Sequence, residues 1–285
     1  MLWIALYLPQ LPLDLAYRRW PEALHDSLQR TVPLAVIESR RVGWVNLCAR
    51  EAGILPGMAE SSAYSRAADI VLIARDPAAE EKAIIEAALW ALHFTPQVSL
   101  LPDGLLMEVT ASLRLFGGCA VLMQRFREGL LELGLTPQMV SAPTATAAWL
   151  FAQHEDVQDR DIPPSDRATC MELLDGLPVR LMDSTQPHLE TLHTIGCQNI
   201  GQLRRLPRGG LARRFGKAVL AELDRAFGVE PEVHAWYEPP ATFCAWLELP
   251  ARVETTEPLL FAARRLLMQM TGCMRTSGAQ MTDII

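Results

Sequence analysis

The sequence predicts a mixed α+β fold in which helices lie across an antiparallel sheet. Two observations lead to this fold class. Short β-rich runs alternate with helical patterns up to residue 154, and a tight turn at Asp103 feeds one such run into the next. Short helical pieces then fill residues 167–228. Sheet-forming and helix-forming segments are therefore partly separated along the chain.

The first half of the chain supplies the sheet and the helices that cover it. The apolar run 2–9 is stopped by Pro9 and predicts a buried strand. Two β-rich runs flank Arg40 and Arg41 and predict a hairpin, at residues 33–39 and 42–48. The remaining predicted elements are helices at 48–53, 59–67, 77–94, about 118–134 and 143–154, and strands at 70–74, 97–101, 105–110 and 137–142.

Two linkers divide the second half of the chain. The acidic segment 154–166 contains a proline pair, and the segment 230–242 is rich in proline. A predicted strand at 243–250 and a helix at 257–270 follow, and the tail after them has no core-forming pattern. Since one strand and one helix cannot bury a core alone, we expect the last domain to be incomplete.

Composition excludes several classes of protein. The 285 residues are 50% hydrophobic with a net charge of −7, so any nucleic-acid surface must be a local basic patch. The six cysteines form no C-x-x-C pair, which argues against a zinc site and a disulfide framework. No leader and no apolar run of about 18 residues is present, and we expect a cytoplasmic protein without a membrane partner.

Three stretches in fixed order carry a family resemblance. They are "CAREAGILPGM" (48–58), "LLPDGLLMEVT" (100–110) and "IGCQNIGQLRRLPRGGLARRFG" (195–216). They resemble the finger segment, the palm strand and the helix-hairpin-helix thumb of the Y-family (UmuC/DinB-type) translesion DNA polymerases. "AWLELP" (245–250) is similar to the opening of that family's little finger.

The resemblance implies a right-hand architecture with a ferredoxin-like palm, small fingers, a helix-hairpin-helix thumb and an incomplete little finger. The expected boundaries are 1–18 and 69–160 for the palm, 19–68 for the fingers, 167–229 for the thumb and 242–285 for the start of a truncated little finger.

The family's chemistry is two-metal phosphoryl transfer, in which clustered carboxylates hold two Mg²⁺ ions about 3.5–4 Å apart. The resemblance places these carboxylates at an aspartate ending the first strand and at an Asp-Glu pair on the later one. In this sequence the positions fall on Pro9, Asp103 and Gly104. Asp103 is the only remaining candidate metal ligand, and a turn residue with no other duty is the alternative interpretation of it.

Nearby acids do not replace the missing ligands. Glu108 lies four residues from Gly104, which is roughly 13 Å along a strand. Asp14 falls at the position of the family's aromatic gate. The sequence therefore predicts no catalytic residue and no cofactor, with Mg²⁺ expected only if the metal ligands are rearranged.

The nucleotide pocket has also lost its charges. Arg50 matches the family arginine that grips the triphosphate, but the tyrosine beside it falls on Leu47. The two family lysines of the next palm helix fall on Ala145 and Trp149. Arg50 is therefore a remnant of a nucleotide site, or an arginine that pairs with Glu51 or solvent.

A basic run without an acid predicts the DNA contact. It lies between 201 and 217 and contains Arg204, Arg205, Arg208, Arg213, Arg214 and Lys217. Helix-hairpin-helix units bind the DNA backbone without reading sequence. A solvated basic face is the alternative. The family's first, glycine-rich hairpin falls on "DSTQP" (183–187), where Asp183 would repel phosphate and weaken the grip.

Together these losses resemble the ImuB-type branch of the family, a polymerase-like subunit of damage-inducible mutasomes. The implied function is a non-catalytic protein of error-prone translesion synthesis, DNA repair and the SOS response, which binds primer-template DNA and bridges a true polymerase to it. The implied partners are an error-prone replicative-type polymerase, a RecA-like ImuA-type protein and the sliding clamp. "QLPLDL" (10–15) resembles a clamp-binding peptide but follows a core strand, which favours a chance match.

Two other functions stay open at this point. One is an active low-fidelity polymerase with rearranged metal ligands, and the other is a helix-hairpin-helix module on an unrelated α/β enzyme. Primer extension separates the first from a scaffold. A βαββαβ palm sheet would exclude the second.

Overall fold

The computed structural model describes residues 1–18, 31–154 and 166–239, with separate helical residues between 256 and 270. The predicted strand at 243–250, the tail after 270, most of the 154–166 linker and part of the predicted fingers lie outside the described residues. The chain divides into two compact units. The first unit comprises residues 1–9, 91–127 and 137–239, and the second comprises 10–90, 128–136 and the residues from 240 onward. The predicted domain boundaries stay predictions.

The first unit is built on a four-stranded antiparallel sheet in the order β5-β6-β1-β7. Its strands are β1 (Trp3–Tyr7), β5 (Val98–Leu101), β6 (Gly104–Glu108) and β7 (Gln138–Ala142). The first strand is central and the last strand lies beside it at the edge, as in a βαββαβ ferredoxin-like sheet. This order confirms the predicted palm and excludes a module on an unrelated α/β enzyme.

Helices complete the first unit. Two of them follow sheet strands along the chain: α5 (Leu113–Phe116) comes after β6, and α7 (Ala145–Ala152) comes after β7. The later part is helical in short pieces, as predicted: α8 (Arg167–Gly176), α9 (Leu189–Thr194), α10 (Ile200–Arg205), α11 (Arg208–Phe215) and α12 (Lys217–Ala226), with 3₁₀ turns at Val179–Leu181 and Asp183–His188. One apolar core runs from Trp3 on β1 through Phe151 on α7 to Leu223 on α12. Sheet and short helices are therefore held by one continuous core.

The second unit contains a three-stranded sheet in the order β3-β2-β4. Its strands are β2 (Leu34–Glu38), β3 (Arg41–Val45) and β4 (Val71–Ala74), and its helices are α1 (Leu11–Tyr17), α2 (Leu47–Glu51), α3 (Glu60–Arg66) and α4 (Pro77–Ala91). Helix α6 (Cys119–Glu132) has residues in both units. β2 pairs antiparallel with β3, which confirms the predicted hairpin, and parallel with β4.

A buried asparagine corrects one strand boundary. The predicted strand 42–48 ends at Val45, because Asn46 caps the next helix. The Asn46 side-chain oxygen accepts hydrogen bonds from the amides of Leu34 and Ala49 at 3.0 and 2.9 Å. A capping side chain satisfies amides that have no partner within the helix. The local apolar pattern continues past this point, so it hides the change from strand to helix.

The described part of the chain contains no helix that is both long enough and apolar enough to cross a membrane.

Candidate active site and nucleic-acid interface

The structure brings the three candidate metal positions together. Tyr7 pairs with Gly104 in the β1–β6 ladder. The Leu8 amide continues the ladder by donating to the carbonyl of Asp103 at 2.9 Å, and Pro9 follows directly. The end of β1 and the start of β6 therefore place Pro9 beside Asp103 and Gly104.

Gly104 has no room for a side chain. A Cβ atom at Gly104 would lie 1.9 Å from the carbonyl oxygen of Leu6 and 3.2 Å from a ring carbon of Trp149. Gly104 is buried. Because the nearest atom belongs to the β1 backbone, any larger residue must displace that strand. The position at which the resemblance predicts a metal-binding glutamate is thus sterically closed.

Trp149 occupies the space over this position. It lies on α7, and its indole packs edge-on against Tyr7 with ring centroids 5.5 Å apart at 85°. Burial raises the pKa of the Tyr7 hydroxyl, and the Asp103 carboxylate raises it further. A large apolar ring therefore stands where the resemblance predicts a lysine. The result is an aromatic filling instead of a charged pocket.

The other acids near these positions in sequence have structural partners. The carboxylate of Asp14 accepts hydrogen bonds from the Thr136 amide at 2.7 Å and from its hydroxyl at 2.9 Å. The carboxylate of Glu108 accepts hydrogen bonds from the amide and hydroxyl of Thr110. Both acids are buried. Both carboxylates therefore take part in hydrogen bonds that stabilise the fold.

The donor set does not fit a two-metal centre. Glu108 pairs with Trp3, at the opposite end of β1 from Tyr7, so it lies far from Asp103. Asp103 is exposed at the strand end. Among the described residues, no three His, Cys, Asp or Glu side chains are grouped so that they could hold a metal ion. Mg²⁺ retains water and binds weakly to single carboxylates.

An acid lies at the start of the helix where the resemblance predicts a lysine. Ala145 begins α7, and the next residue, Thr146, donates to the carboxylate of Glu232 from its amide at 3.1 and 3.2 Å and from its hydroxyl at 2.8 Å. The start of this helix therefore carries a negative side chain and no lysine. A triphosphate would be repelled at this place.

Arg50 lies in the second unit, on the exposed side of α2. It forms no ion pair with any residue that the structure describes, including its neighbour Glu51. Leu47, one turn earlier, is 55% exposed. Arg50 is therefore an accessible cation whose expected aromatic partner is absent.

The predicted basic run divides into paired and unpaired cations. Arg204 donates to Asp175 through two nitrogens at 2.6 and 2.9 Å and stacks over the ring of Phe227 at 4.7 Å. Arg208 forms a similar bidentate pair with Asp224, at 2.5 and 2.9 Å. The Arg208 guanidinium holds the pKa of the Asp224 carboxyl below its usual range. The run has no acid in sequence, but the fold brings two acids to it.

The other four cations of the run are exposed, and none has an acidic partner within the described residues. They are Arg205, Arg213, Arg214 and Lys217, and Arg214 lies 5.7 Å from the ring centroid of Phe215. They occupy α10, α11 and the start of α12. These four side chains are accessible to solvent.

Two backbone amides of the hairpin that is expected to repel phosphate donate hydrogen bonds to an acidic side chain of the same unit. The amides of Asp183 and Ser184 donate to the carboxylate of Glu222 at 3.2 and 2.9 Å. An internal acid therefore binds the amides at the start of this 3₁₀ turn. The weaker grip expected at this hairpin stays a prediction.

The sequence patterns did not indicate three sets of contacts. These are the Trp149 ring over Gly104, the Glu232 carboxylate at the start of α7, and the pairs that Asp175 and Asp224 form with Arg204 and Arg208. Each of the four contacts joins residues at least 16 positions apart. Local spacing holds no signal for such pairs.

Comparisons with known proteins identify a matching family, a curated relative and solved structures with a similar fold. Residues 13–153 match the model of the impB/mucB/samB family. Over 189 residues the chain is 32% identical to Protein ImuB of Caulobacter vibrioides, a match that covers 66% of this chain and 40% of the relative. The chain thus spans less than half the length of this curated relative.

Solved structures share the fold. The chain is similar to a ternary complex of Dbh, with a TM-score of 0.65 and 17% identity over 82% of this chain and 69% of the other. It is also similar to a Y-family DNA polymerase chimera built on Dbh (TM-score 0.65, 18% identity, 82% and 70% covered) and to DinB from Sulfolobus solfataricus (TM-score 0.61, 17% identity, 82% and 69% covered). At these identities the likeness shows the fold alone.

The closure at Gly104 can be measured by stability. We expect Gly104→Ala to lower the free energy of unfolding by about 3 kcal/mol, since the new methyl group overlaps a strand carbonyl. Denaturant titration followed by circular dichroism measures the loss. Gly209 is the matched control because it lies in α11, where a Cβ atom would meet no other atom within 4 Å. Gly209→Ala should leave stability equal or up to about 1 kcal/mol higher. A Gly104→Ala protein as stable as the parent would contradict the steric account.

Proposed function

We propose that the protein is a non-catalytic, DNA-binding scaffold, since residues 13–153 match the impB/mucB/samB family and the chain has the Y-family DNA polymerase fold. The protein acts in error-prone translesion synthesis and DNA repair, in the cytoplasm, and bridges a true polymerase to the damaged site. The observation that carries this proposal is the closed position at Gly104, which lies under Trp149 and beside Asp103.

The proposed lack of catalysis follows from the missing charged ligands and from the lack of room for a side chain at Gly104. Two-metal transfer needs several carboxylates around both ions, and only Asp103 remains of the three expected at the strand ends. A Gly104→Glu change would have to displace the Leu6 carbonyl before it could supply a second ligand. The triphosphate also lacks its cations, because Trp149 and the Glu232-capped start of α7 stand where the family has lysines.

DNA binding is supported by the exposed cations of α10, α11 and α12. Arg205, Arg213, Arg214 and Lys217 can reach phosphates without breaking an ion pair among the described residues. Phosphate contacts carry no sequence information, so binding is independent of sequence. The paired arginines, Arg204 and Arg208, would first have to leave Asp175 and Asp224, and we assign them a smaller share of the contact.

The partners belong to the proposal as well. The likeness to ImuB supports a role beside an error-prone polymerase, a RecA-like accessory protein and the sliding clamp. Since the chain spans 40% of that relative, the surfaces for these partners are assigned to no residue of this chain.

We expect no primer extension by the purified protein with either Mg²⁺ or Mn²⁺, because neither metal nor triphosphate has its ligands. The measurement is a gel assay on primer-template DNA at high protein concentration. Asp103→Asn is the matched control, since it removes the last candidate ligand with little change in shape. Extension by the parent protein that Asp103→Asn abolishes would refute the scaffold and establish an active polymerase.

The double change Arg205→Ala and Arg213→Ala should weaken binding to primer-template and to random duplex alike. Its plot of log affinity against log salt should flatten by about 0.9 for each phosphate contact removed. Fluorescence anisotropy at several salt concentrations measures both quantities.

The matched control for charge is Arg114→Ala with Arg125→Ala, two exposed arginines of the same unit outside the basic run. This control removes the same two charges and should leave the salt slope unchanged. Equal losses in both double variants would mean that only net charge matters and that the basic run is a solvated face.

A further inference from the structure

The two ion pairs of the basic run differ in how far solvent reaches them. Asp175 accepts two hydrogen bonds from Arg204, and Asp224 accepts two from Arg208. The Arg204 side chain is 39% exposed, whereas the Arg208 side chain is 63% exposed. The second pair therefore contains an arginine that an anion in solution can approach.

Arg204 is held by two kinds of contact. Its guanidinium lies over the ring of Phe227 at 4.7 Å, in addition to the hydrogen bonds to Asp175. Asp175 also packs against Gly201 on α10, where a Cβ atom would lie 2.9 Å from the Asp175 carbonyl oxygen. Because a cation gains electrostatic attraction over an aromatic ring, Arg204 keeps a partner even without its acid.

Arg208 depends on one acid. Among the residues that the structure describes, no aromatic ring and no second carboxylate contacts its guanidinium. A cavity of about 350 Å³ adjoins its side chain. Gly209 and Gly210 follow it, and a Cβ atom at either would meet no other atom within 4 Å. The space around Arg208 is open, and Asp224 alone fixes its position.

The helix does not account for an acid at position 224. Asp224 lies in the last turn of α12, where the free carbonyl groups carry partial negative charge. A carboxylate at this end opposes the helix dipole. The hydrogen bonds from Arg208 hold the pKa of the Asp224 carboxyl below its usual range, so the pair stays charged at neutral pH. The position of Asp224 is explained by the arginine that it holds.

A purely structural link between α11 and α12 is the weaker interpretation of this pair. Leu211 and Phe215 of α11 already share one apolar core with Val219 and Leu223 of α12. Ion pairs between exposed side chains contribute little to stability. The larger consequence of the pair concerns charge, because a guanidinium that is bound to a carboxylate is withheld from other anions.

We infer that Asp224 regulates the DNA contact by competing with backbone phosphate for Arg208. Guanidinium groups bind carboxylate and phosphate through the same bidentate geometry, so Arg208 can exchange one partner for the other without losing hydrogen bonds. Along the chain, Arg205 precedes Arg208 by three residues and Arg213 follows it by five. A released Arg208 therefore adds to the exposed cations of the same run. The inference rests on the proposed DNA binding and specifies its regulation.

Asp224→Asn should strengthen binding to duplex and to primer-template DNA alike. One added phosphate contact implies a gain of up to roughly eightfold at about 0.1 M salt, and a plot of log affinity against log salt that is steeper by about 0.9. Asp224→Ser removes the same charge with a different side chain and should give the same gain. Fluorescence anisotropy at several salt concentrations measures affinity and slope.

Asp175→Asn is the matched control. It removes the same charge from the same run, but Arg204 keeps its contact with Phe227. We expect an unchanged salt slope and a gain well below that of Asp224→Asn. Equal gains and equal slopes in the two variants would mean that only net charge matters, and they would overturn the inference.

The background variant Arg208→Ala separates release of the arginine from loss of the acid. In this background Asp224→Asn should leave the salt slope unchanged and should raise affinity much less than in the parent protein. An equal gain and an equal change of slope in both backgrounds would overturn the inference, because Asp224 would then act without Arg208. Circular dichroism should show every variant to be folded, since the helices keep their apolar core.

Failure of this inference differs from failure of the proposed function. DNA binding by the parent protein that Asp224→Asn leaves unchanged or weakens would refute the regulation by Asp224 and leave the DNA contact intact. No binding by the parent protein or by any variant at low salt would refute the proposed DNA binding, and the inference with it.

Discussion

The close approach of the β1 backbone to Gly104 is the constraint on which the rest of this site depends. The Leu6 carbonyl fills the space that a Cβ atom would need, and the Trp149 ring covers the same glycine from α7. A metal-binding residue at position 104 is incompatible with this packing. An aromatic ring covers this position, and it stabilises the sheet through buried area and ring contacts.

Acids that an active site would leave available are used elsewhere in the structure. Asp14 holds Thr136, Glu108 holds Thr110 and Glu232 caps α7. Near the basic run, Asp175 and Asp224 hold two arginines in bidentate pairs. These pairs are partly exposed, so each contributes modestly to stability, and each neutralises a cation of the basic run. The remaining cations of the run are concentrated on three short helices.

Much of the fold was predictable because it depends on local patterns. The apolar run ending at Pro9 predicted β1, the runs around Arg40 predicted the β2–β3 hairpin, and Pro77 marked the start of α4. The order of motifs pointed to Pro9, Asp103 and Gly104, and the β1–β6 register places these three positions at neighbouring strand ends. The end of β3 was wrong, since Asn46 caps a helix inside a run that still looks apolar.

The contacts that define the site's character were not predictable from the same patterns. Trp149 reaches Gly104 across 45 positions, Arg204 reaches Asp175 across 29, and Thr146 reaches Glu232 across 86. Hydrophobic periodicity reports which face of an element is buried, but it does not identify the partner on the opposing element. The DNA contact predicted for the basic run stays a prediction, and the two acids that pair with its arginines are contacts that the sequence pattern did not indicate.

We expect the described residues of this polymerase fold to form no nucleotide site. Calorimetric titration of a Mg²⁺–deoxynucleoside triphosphate, complementary to the template base, into the complex of protein and primer-template DNA measures this directly. We expect only the heat of dilution, identical for the parent protein and Asp103→Asn. Saturable binding to the parent protein that is lost in Asp103→Asn would contradict the claim.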